Sequence, residues 1–239
     1  MTLLAEGIRA AMARADLGER LMISPLLDPD EQIGPGTVDL RLGTEFLEFN
    51  RSGQGILDVL RGDEATIRNS AYERRTVVPL GEGLALHPGQ FILGSTLEFL
   101  SMPADIIGQV VSRSSWGRLG LLVATAVVVQ PGFKGILTLE LVNTGGVPII
   151  LRPGSRVAQI QLWKASEGAE IVYSGKYKIP VGPQAARLKG EQSEARKLDV
   201  IGKQISHREP ADDEKDFATT ATAERSNTGE GEVDGAPSS

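Results

Sequence analysis

The stretch from Val111 to Gly154, VSRSSWGRLGLLVATAVVVQPGFKGILTLELVNTGGVPIILRPG, contains the longest apolar runs of the chain. Residues 120–129 within it predict a buried strand or a pair of strands. Residues 136–143 alternate with the period of two that is typical of a strand, with leucines on one face. The other face carries Ile136, Thr138, Glu140 and Val142. Glu140 is therefore the one acidic residue in an apolar strand pattern.

Short strands are also predicted on both sides of this stretch. From Thr76 to Val111, apolar segments are separated by turns that contain Gly or Pro at residues 81–83, 87–89 and 102–105. Downstream, residues 147–163 predict two further strands around the turn Arg152-Pro153-Gly154. The chain has 28 Gly, 13 Pro and only 5% aromatic residues, which together with this spacing favours a mainly β sandwich, barrel or jelly roll.

The N-terminal region has helical periodicity from Leu3 to Leu21. Leu4, Ile8, Met12 and Leu17 fall near one face, which predicts a helix that packs on the β domain and carries no chemistry. Further along, TVDLRL at residues 37–42 alternates as a half-buried strand.

In that strand the charged residues are predicted to face solvent. Val38, Leu40 and Leu42 share the apolar face, while Asp39 and Arg41 share the other. Two opposite charges on one exposed strand face predict a surface pair of small energetic value.

Composition excludes several classes of protein and site. Hydrophobic residues make up 41% of the 239 residues, and cysteine is absent, which excludes a disulfide scaffold and a thiolate metal site. The net charge of −6 argues against a general nucleic-acid binder. No apolar run reaches about 18 residues, and the N-terminus lacks a signal-peptide core. We therefore predict a soluble cytoplasmic protein that binds neither nucleic acid nor membrane.

The composition changes after Pro183. From Glu209 onward the chain is rich in Asp, Glu, Thr, Ala, Gly and Ser, and Phe217 is its one aromatic residue. Such a segment cannot bury enough apolar surface to offset chain entropy. The predicted organisation is a β domain with an N-terminal helix over residues 1–185, followed by a polar, disordered tail over residues 186–239.

Two features of the central stretch are candidates for chemistry. Glu140 can face solvent, or it can be a carboxylate in a partly apolar pocket whose raised pKa suits proton transfer near neutral pH. Arg113, Ser114 and Ser115 can form an ordinary turn, or they can present guanidinium, hydroxyl and amide groups to a phosphate chain. A Gly-x-x-x-x-Gly-Lys-Ser loop is absent from the sequence, so a phosphate site here is of another kind.

Several separated motifs together carry a resemblance to a known family. SRSSWGRLGLLV and TAVVVQPGFKGILTLELVNTG, with TVDLRLG upstream and LRPGSRVAQIQL downstream, resemble the dCTP deaminase family of the dUTPase-like superfamily. The resemblance is collinear from about Ile23 to about Pro183.

The resemblance implies a fold, an assembly and an activity. It implies a distorted jelly roll, or dUTPase-like β-barrel, that forms a homotrimer with active sites between subunits. The implied activity is that of a hydrolase acting on a cyclic amidine C–N bond. It converts the deoxycytidine nucleotide dCTP to dUTP and ammonia without zinc, and it so supplies dUTP and dUMP. Mg²⁺ accompanies the triphosphate.

The resemblance also implies site residues. Glu140 matches the glutamate that activates the attacking water, and Arg118 and Ser114 match residues that hold the water and the base. Arg113, Ser114 and Ser115 match the triphosphate-binding loop. The implied substrate-binding positions are Arg113, Ser114, Ser115, Ala126, Gln130, Lys176 and Tyr177.

Two residues depart from the family pattern and leave alternatives open. Gln130 stands where the family usually has an aspartate, and Pro180 stands where the closing segment usually offers a glutamine. Gln130 can hydrogen-bond a sugar hydroxyl but cannot act as a base, which disfavours a dUTPase-like pyrophosphatase. A non-catalytic nucleotide-binding regulatory protein is the other alternative.

The residue inventory bears on the class of deaminase. Zinc deaminases hold their metal with His and Cys ligands beside a glutamate, whereas this chain has no Cys and only His87 and His207. A zinc deaminase is excluded by that ligand count, so a deaminase built on this sequence must use a carboxylate base.

Overall fold

Twelve antiparallel strands and three short helices lie in the described parts of residues 1–165 of the computed structural model, which describes residues 1–49, 73–123, 128–165, 173, 179–185, 197–201 and 203. The helices are α1 (Ala5–Met12), α2 (Pro29–Gln32) and α3 (Ser114–Gly117). The strands are β1 (Met22–Ser24), β2 (Thr37–Arg41), β3 (Glu45–Phe49), β4 (Glu73–Val77), β5 (Leu84–Leu86), β6 (Phe91–Ser101), β7 (Ile106–Ser112), β8 (Leu121–Val123), β9 (Val128–Val129), β10 (Lys134–Asn143), β11 (Ile149–Leu151) and β12 (Arg156–Lys164).

The strands form two larger sheets and one strand pair. The first sheet has the order β4-β3-β6-β10-β8, and β1 also pairs with β6. The second has the order β2-β12-β7-β9, and β11 pairs with β5. This is the mainly β, distorted jelly-roll architecture with an N-terminal helix that the sequence predicts.

The core is built largely from alternating strand residues. Leu137, Leu139 and Leu141 of β10 are buried, while the residues between them, including Glu140, are half-buried. The two faces predicted for this strand are thereby confirmed. Each buried leucine contributes about 2–3 kcal/mol through removal of its side chain from water, so β10 is fixed in register and Glu140 is held on the opposite face.

The N-terminal helix is shorter than its periodicity predicts. α1 ends at Met12 and buries Ile8, whereas Leu4 and Leu17 are exposed. The Asp16 carboxylate accepts a hydrogen bond from the Gly18 backbone N–H at 2.7 Å and stabilises a turn. The predicted helix over residues 3–21 is therefore wrong beyond Met12, because a local turn wins over the apolar spacing.

A bidentate ion pair ties the turn after α1 to the β6–β7 connection. Both terminal nitrogens of Arg14 donate to the Asp105 carboxylate at 2.8 Å. The hydrogen bonds from Arg14 lower the pKa of Asp105 below its ordinary value. The pair is three-quarters buried on both sides, which favours a contribution above that of an exposed pair.

Strand β2 departs from the predicted alternation at its centre. Val38 and Leu40 are fully buried as predicted, but Asp39 is also buried, with 8% of its surface exposed. The predicted surface pair between Asp39 and Arg41 is wrong, because Asp39 is enclosed by two arginines from distant parts of the chain.

The apolar run at residues 120–129 is divided between the two sheets. β8 pairs with β10 in the first sheet, and β9 pairs with β7 in the second. Leu122 and Val128 are each 46% exposed, so the predicted strand pair is only partly buried in the single chain.

Contacts divide the chain into two units, Met1–Leu188 and Lys189–Ser239. In the second unit the structure describes residues 197–201 and 203, which are helical and exposed. The rest of the predicted tail lies outside the described residues, so its disorder and its boundary at residue 185 stay predictions. Among the residues described, no helix has the length and apolarity needed to span a membrane.

Candidate functional site

The Arg-Ser-Ser motif forms the start of α3. Arg113 has an extended backbone, and its carbonyl accepts hydrogen bonds from the N–H groups of Trp116 and Gly117 at 3.1 and 3.2 Å. Ser114, Ser115 and Arg118 are exposed. The motif therefore presents two hydroxyl groups and a guanidinium group to solvent on one short element.

Asp39 holds the arginine that precedes α3. Its Oδ1 lies 3.3 Å from Arg113 Nε, and its Oδ2 lies 3.4 Å from Arg156 Nη1. Burial raises the pKa of Asp39, and the charges of Arg113, Arg156 and Arg41 oppose that rise. The two close arginines compensate the buried carboxylate.

Arg156 also contacts α3 through its main chain. Its carbonyl oxygen accepts a hydrogen bond from Arg113 Nη1 at 3.2 Å and another from Trp116 Nε1 at 2.8 Å. The backbone N–H of Arg113 donates to the carbonyl of Val157 at 3.2 Å. α3 is thus fixed to β12 independently of Asp39.

Glu140 is a half-buried carboxylate beside apolar side chains. Its cross-strand partner on β6 is Leu93, which in turn pairs with Leu47 on β3, and both leucines are buried. Burial raises the pKa of Glu140, and no hydrogen bond or ion pair to its carboxylate occurs among the described residues. The Glu140 carboxylate is therefore partly withdrawn from water beside buried cross-strand leucines.

The edge of β10 opposite β6 contacts two different segments. β8 pairs with residues 141–143. Near the other end, Ile136 N–H donates to the Pro180 carbonyl at 2.9 Å, and Gln184 N–H donates to Thr138 Oγ1 at 3.1 Å. Glu140 therefore lies between the part of the strand covered by β8 and the part covered by residues 180–184.

A close main-chain contact couples α3 to the end of β10. Gly120 has φ of +93°, and a Cβ at this position would lie 2.6 Å from the backbone nitrogen of Gly145. Thr144 N–H donates to the Gly120 carbonyl at 2.8 Å. α3 and Glu140 are connected through β8, but no hydrogen bond or ion pair joins Glu140 to Arg118 or Ser114 within the described part of the chain.

Of the four remaining predicted site residues, the structure describes Gln130. Gln130 is exposed at the turn after β9, where its carbonyl accepts a hydrogen bond from Phe133 N–H at 3.1 Å. Ala126, Lys176 and Tyr177 lie outside the described residues.

A fully buried carboxylate was missed by sequence reasoning. Glu98 on β6 is fully buried, and its oxygens accept hydrogen bonds from Gln32 Nε2 at 3.2 Å and from Arg41 N–H at 2.9 Å. Burial raises its pKa to about 7. The signal was present in the sequence, because STLEFL around Glu98 has the same pattern as LTLELV around Glu140.

Metal-binding capacity is limited in the part of the chain that the structure covers. Over these residues, no group of three His, Cys, Asp or Glu side chains could hold a metal ion. The cluster of Asp39 with Arg113 and Arg156 is suited to anions and not to cations.

Comparison with known proteins assigns the chain to a family. The family model described as dCTP deaminase-like matches residues 4–165. This chain belongs to the dCTP deaminase-like family. The match runs from just before α1 to just after β12 and includes Arg113, Ser114, Ser115, Arg118 and Glu140, but it ends before Lys176 and Tyr177.

Relatives of known name agree with this membership. A dCTP deaminase of Natronomonas pharaonis is 42% identical over 184 residues, which cover 75% of this chain and 92% of that protein. A protein of Halobacterium salinarum named dCTP deaminase, dUMP-forming, is 41% identical over 197 residues, which cover 80% of this chain and 97% of that protein.

A solved structure in the dCTP deaminase-like family has a similar fold. The 2′-deoxycytidine 5′-triphosphate deaminase from Agrobacterium tumefaciens aligns with a TM-score of 0.50 and 27% sequence identity. The alignment covers 67% of this chain and 46% of that chain, so this chain spans less than half the length of that protein.

Proposed function

We propose that this protein hydrolyses dCTP to dUTP and ammonia, with Glu140 as the proton-transferring group. The observation that carries the proposal is the half-buried Glu140 carboxylate, which has a raised pKa and no partner among the described residues, within the segment that matches the dCTP deaminase-like family. A carboxylate in such an environment is suited to accept and return a proton near neutral pH.

The reaction balances with water as the second reactant. The water oxygen forms a bond to C4 of cytosine while Glu140 accepts a proton from that water and passes it to N3 of the ring. Glu140 then takes the proton of the new 4-hydroxyl group and delivers it to the exocyclic nitrogen, so that the bond between C4 and this nitrogen breaks and the nitrogen leaves as ammonia. The 4-carbonyl group of uracil remains, and zinc is not part of this proposal.

The remaining residues of the proposal bind the substrate. Ser114 and Arg118 hold the attacking water and the base, and Ser115 and Arg113 bind the triphosphate together with Ser114. Exposed hydroxyls at the start of α3 and a guanidinium fixed beside them support this assignment. Mg²⁺ belongs to the substrate, because it enters as an ion bound to the triphosphate.

Four substrate-binding residues rest on the family resemblance. Gln130 replaces an aspartate and is proposed to bind the sugar hydroxyl as a hydrogen-bonding side chain. Ala126 is proposed to place its backbone against the base, and Lys176 and Tyr177 to close over the phosphates.

The product is proposed to be dUTP, although some relatives are named dUMP-forming. Forming dUMP requires a second water to attack the triphosphate and release pyrophosphate, and that water needs a base. Gln130 cannot supply one, and this supports dUTP. Several relatives carry the dUMP-forming name, among them those of Halobacterium salinarum and Dictyoglomus thermophilum, so dUMP is tested as a direct alternative.

The proposed assembly is a homotrimer with active sites between subunits. Apolar side chains just after α3 and on β8 and β9 are exposed in the single chain, namely Leu119, Leu122 and Val128. Burial of such a surface against another copy favours association. Light scattering is expected to give three times the mass of one chain; the mass of a single chain would remove the intersubunit site.

The proposal is tested by product analysis. The purified protein is incubated with dCTP and Mg²⁺, and ammonia, pyrophosphate and nucleotides are quantified over time. Equal amounts of dUTP and ammonia are expected. Ammonia with dUMP and pyrophosphate would assign a dUMP-forming reaction, pyrophosphate without ammonia would assign a pyrophosphatase, and binding without turnover would assign a regulatory protein.

A further inference from the structure

We propose that Asp39 is a positioning residue for triphosphate binding, because its buried carboxylate orients Arg113 beside the Ser114–Ser115 hydroxyls. This inference rests on the proposed function, in which Arg113 binds phosphate. Asp39 belongs to β2, far along the chain from α3, and it does not itself contact the nucleotide in this scheme.

The geometry fixes the Arg113 guanidinium from two sides. Its Nε lies 3.3 Å from Asp39 Oδ1, and its Nη1 donates to the Arg156 carbonyl at 3.2 Å. A planar guanidinium held at two of its nitrogens cannot rotate freely. Its Nη2 has no partner in the part of the chain that the structure describes, so this nitrogen remains available for a phosphate oxygen.

Pre-ordering of this kind improves binding. A free arginine side chain loses rotamer entropy when it is fixed, and a contact made in advance by Asp39 removes part of that cost from nucleotide binding. The arrangement also explains how a carboxylate can be buried at position 39, where 8% of the residue surface is exposed. Arg113 and Arg156 compensate its charge.

The contact to Asp39 is separable from the contacts that hold α3. Trp116 Nε1 donates to the Arg156 carbonyl, and Arg113 N–H donates to the Val157 carbonyl. Neither of these bonds involves Asp39. Removal of its carboxylate is therefore expected to free the guanidinium while α3 stays in place.

The test measures binding of inorganic tripolyphosphate with Mg²⁺ by calorimetry, so it does not depend on turnover. Asp39→Ala is expected to weaken binding about tenfold, and Asp39→Asn, which keeps the shape and one acceptor, by less. The matched control is Glu31→Gln, because Glu31 lies 3.6 Å from Arg156 but does not contact Arg113. It is expected to bind as the wild type does.

A double-mutant cycle separates positioning from general structural support. In an Arg113→Ala background, Asp39→Ala is expected to cause no further loss of tripolyphosphate affinity, because the residue through which it acts is gone. With dCTP, the single variant Asp39→Ala is expected to raise KM about tenfold and to change kcat by less than about twofold. Deoxycytidine, which has no phosphate, is expected to bind equally to Asp39→Ala and wild type.

The outcomes distinguish this inference from the proposed function. Wild-type binding of tripolyphosphate with the expected loss in Asp39→Ala, but without ammonia release from dCTP, would sustain the inference and reject the deaminase. Equal binding by wild type and both Asp39 variants would overturn the inference, as would additive effects in the cycle or no binding by the wild type. Loss of folding in both Asp39 variants would also overturn it, because Asp39 would then be a stability residue.

Discussion

The backbone N–H of Ile136 donates to the carbonyl oxygen of Pro180 at 2.9 Å, which bonds the segment after Lys176 and Tyr177 to the strand that carries Glu140. Pro180 is buried, and its ring packs on Gly135. The Pro180 carbonyl and ring thus provide a main-chain hydrogen bond and a packing contact to β10.

Gly135→Ala is predicted to displace this segment. Gly135 has φ of +149°, and a Cβ there would overlap the Pro180 ring and backbone nitrogen. Overpacking of this kind costs about 1–3 kcal/mol, and the Ile136 amide is expected to exchange its hydrogen faster. The measurement is hydrogen exchange of that amide together with dCTP affinity. Gly146→Ala is the control, because a Cβ at Gly146 meets nothing within 4 Å; equal exchange in both variants would contradict the prediction.

Glu140→Gln is predicted to reduce turnover and to preserve binding. The amide keeps the size of the side chain but cannot accept a proton, so kcat is expected to fall by at least about 10²-fold. Dissociation constants and initial rates for dCTP are the measurements. Glu82→Gln, at an exposed glutamate in a turn, is the control and should behave as wild type. If Glu140→Gln deaminated dCTP at the wild-type rate, Glu140 would have no role in proton transfer.

Ser115→Ala is predicted to show the opposite pattern. Loss of one hydroxyl that binds a charged phosphate is expected to weaken dCTP binding by about 1–2 kcal/mol, with kcat at saturation nearly unchanged. The same two measurements apply. A large loss of kcat without a change in affinity would assign this serine to the chemistry.

Glu98 is predicted to make stability fall as pH rises. Its pKa in the folded chain is about 7, against an ordinary value of 4.5, so the folded state binds the proton more tightly. The contribution is fully present below about pH 4.5 and is lost as pH rises through about 7, with an upper bound on the order of 3 kcal/mol. Burial also raises the pKa of Glu140 and Asp39, which act in the same direction.

The test of Glu98 is urea unfolding at about pH 5 and about pH 8. Glu98→Gln is expected to flatten the pH dependence, because the amide does not titrate. Some stability is lost at both pH values, since one hydrogen bond from Gln32 or Arg41 is no longer accepted. Glu82→Gln should keep the wild-type slope. An unchanged slope in Glu98→Gln would place the titration elsewhere.

Asp105→Asn is predicted to destabilise the fold by about 1–2 kcal/mol at neutral pH, because it breaks a partly buried bidentate pair with Arg14. The pKa of Asp105 is lowered in the folded chain, so its contribution is present above its ordinary value of 3.8 and is lost as pH falls through the lower folded value. Asp30→Asn is the control for urea unfolding, because the Arg9–Asp30 pair is exposed and should contribute little. Equal losses in both variants would refute the assignment.

Local periodicity was sufficient for the strand that carries the proposed base. The alternation of Leu137, Leu139 and Leu141 places Glu140 on the opposite face, and the structure confirms both faces. The Gly and Pro turns likewise marked the strand boundaries around β5, β6 and β7, because those residues act through their own backbone preferences.

The burial of Glu98 and Asp39 depends on contacts with residues distant in the chain, which the local sequence pattern does not reveal. Glu98 and Glu140 share the same local pattern, yet Glu98 faces the core beside Gln32 whereas Glu140 lies on the other side of the sheet. Asp39 was assigned to solvent because its partners, Arg113 and Arg156, are distant in the chain. The periodicity of one strand does not predict which charged side chains of other elements contact it.

The carbonyl oxygen of Arg156 receives both the Trp116 indole N–H and the Arg113 guanidinium. This acceptor belongs to the polypeptide backbone, so every amino acid at position 156 can provide it. The carboxylate at position 39 has no such substitute among its neighbours. The anchor of α3 should therefore tolerate substitution at position 156, whereas the orientation of Arg113 should not, because the Arg156 side chain also compensates the Asp39 carboxylate.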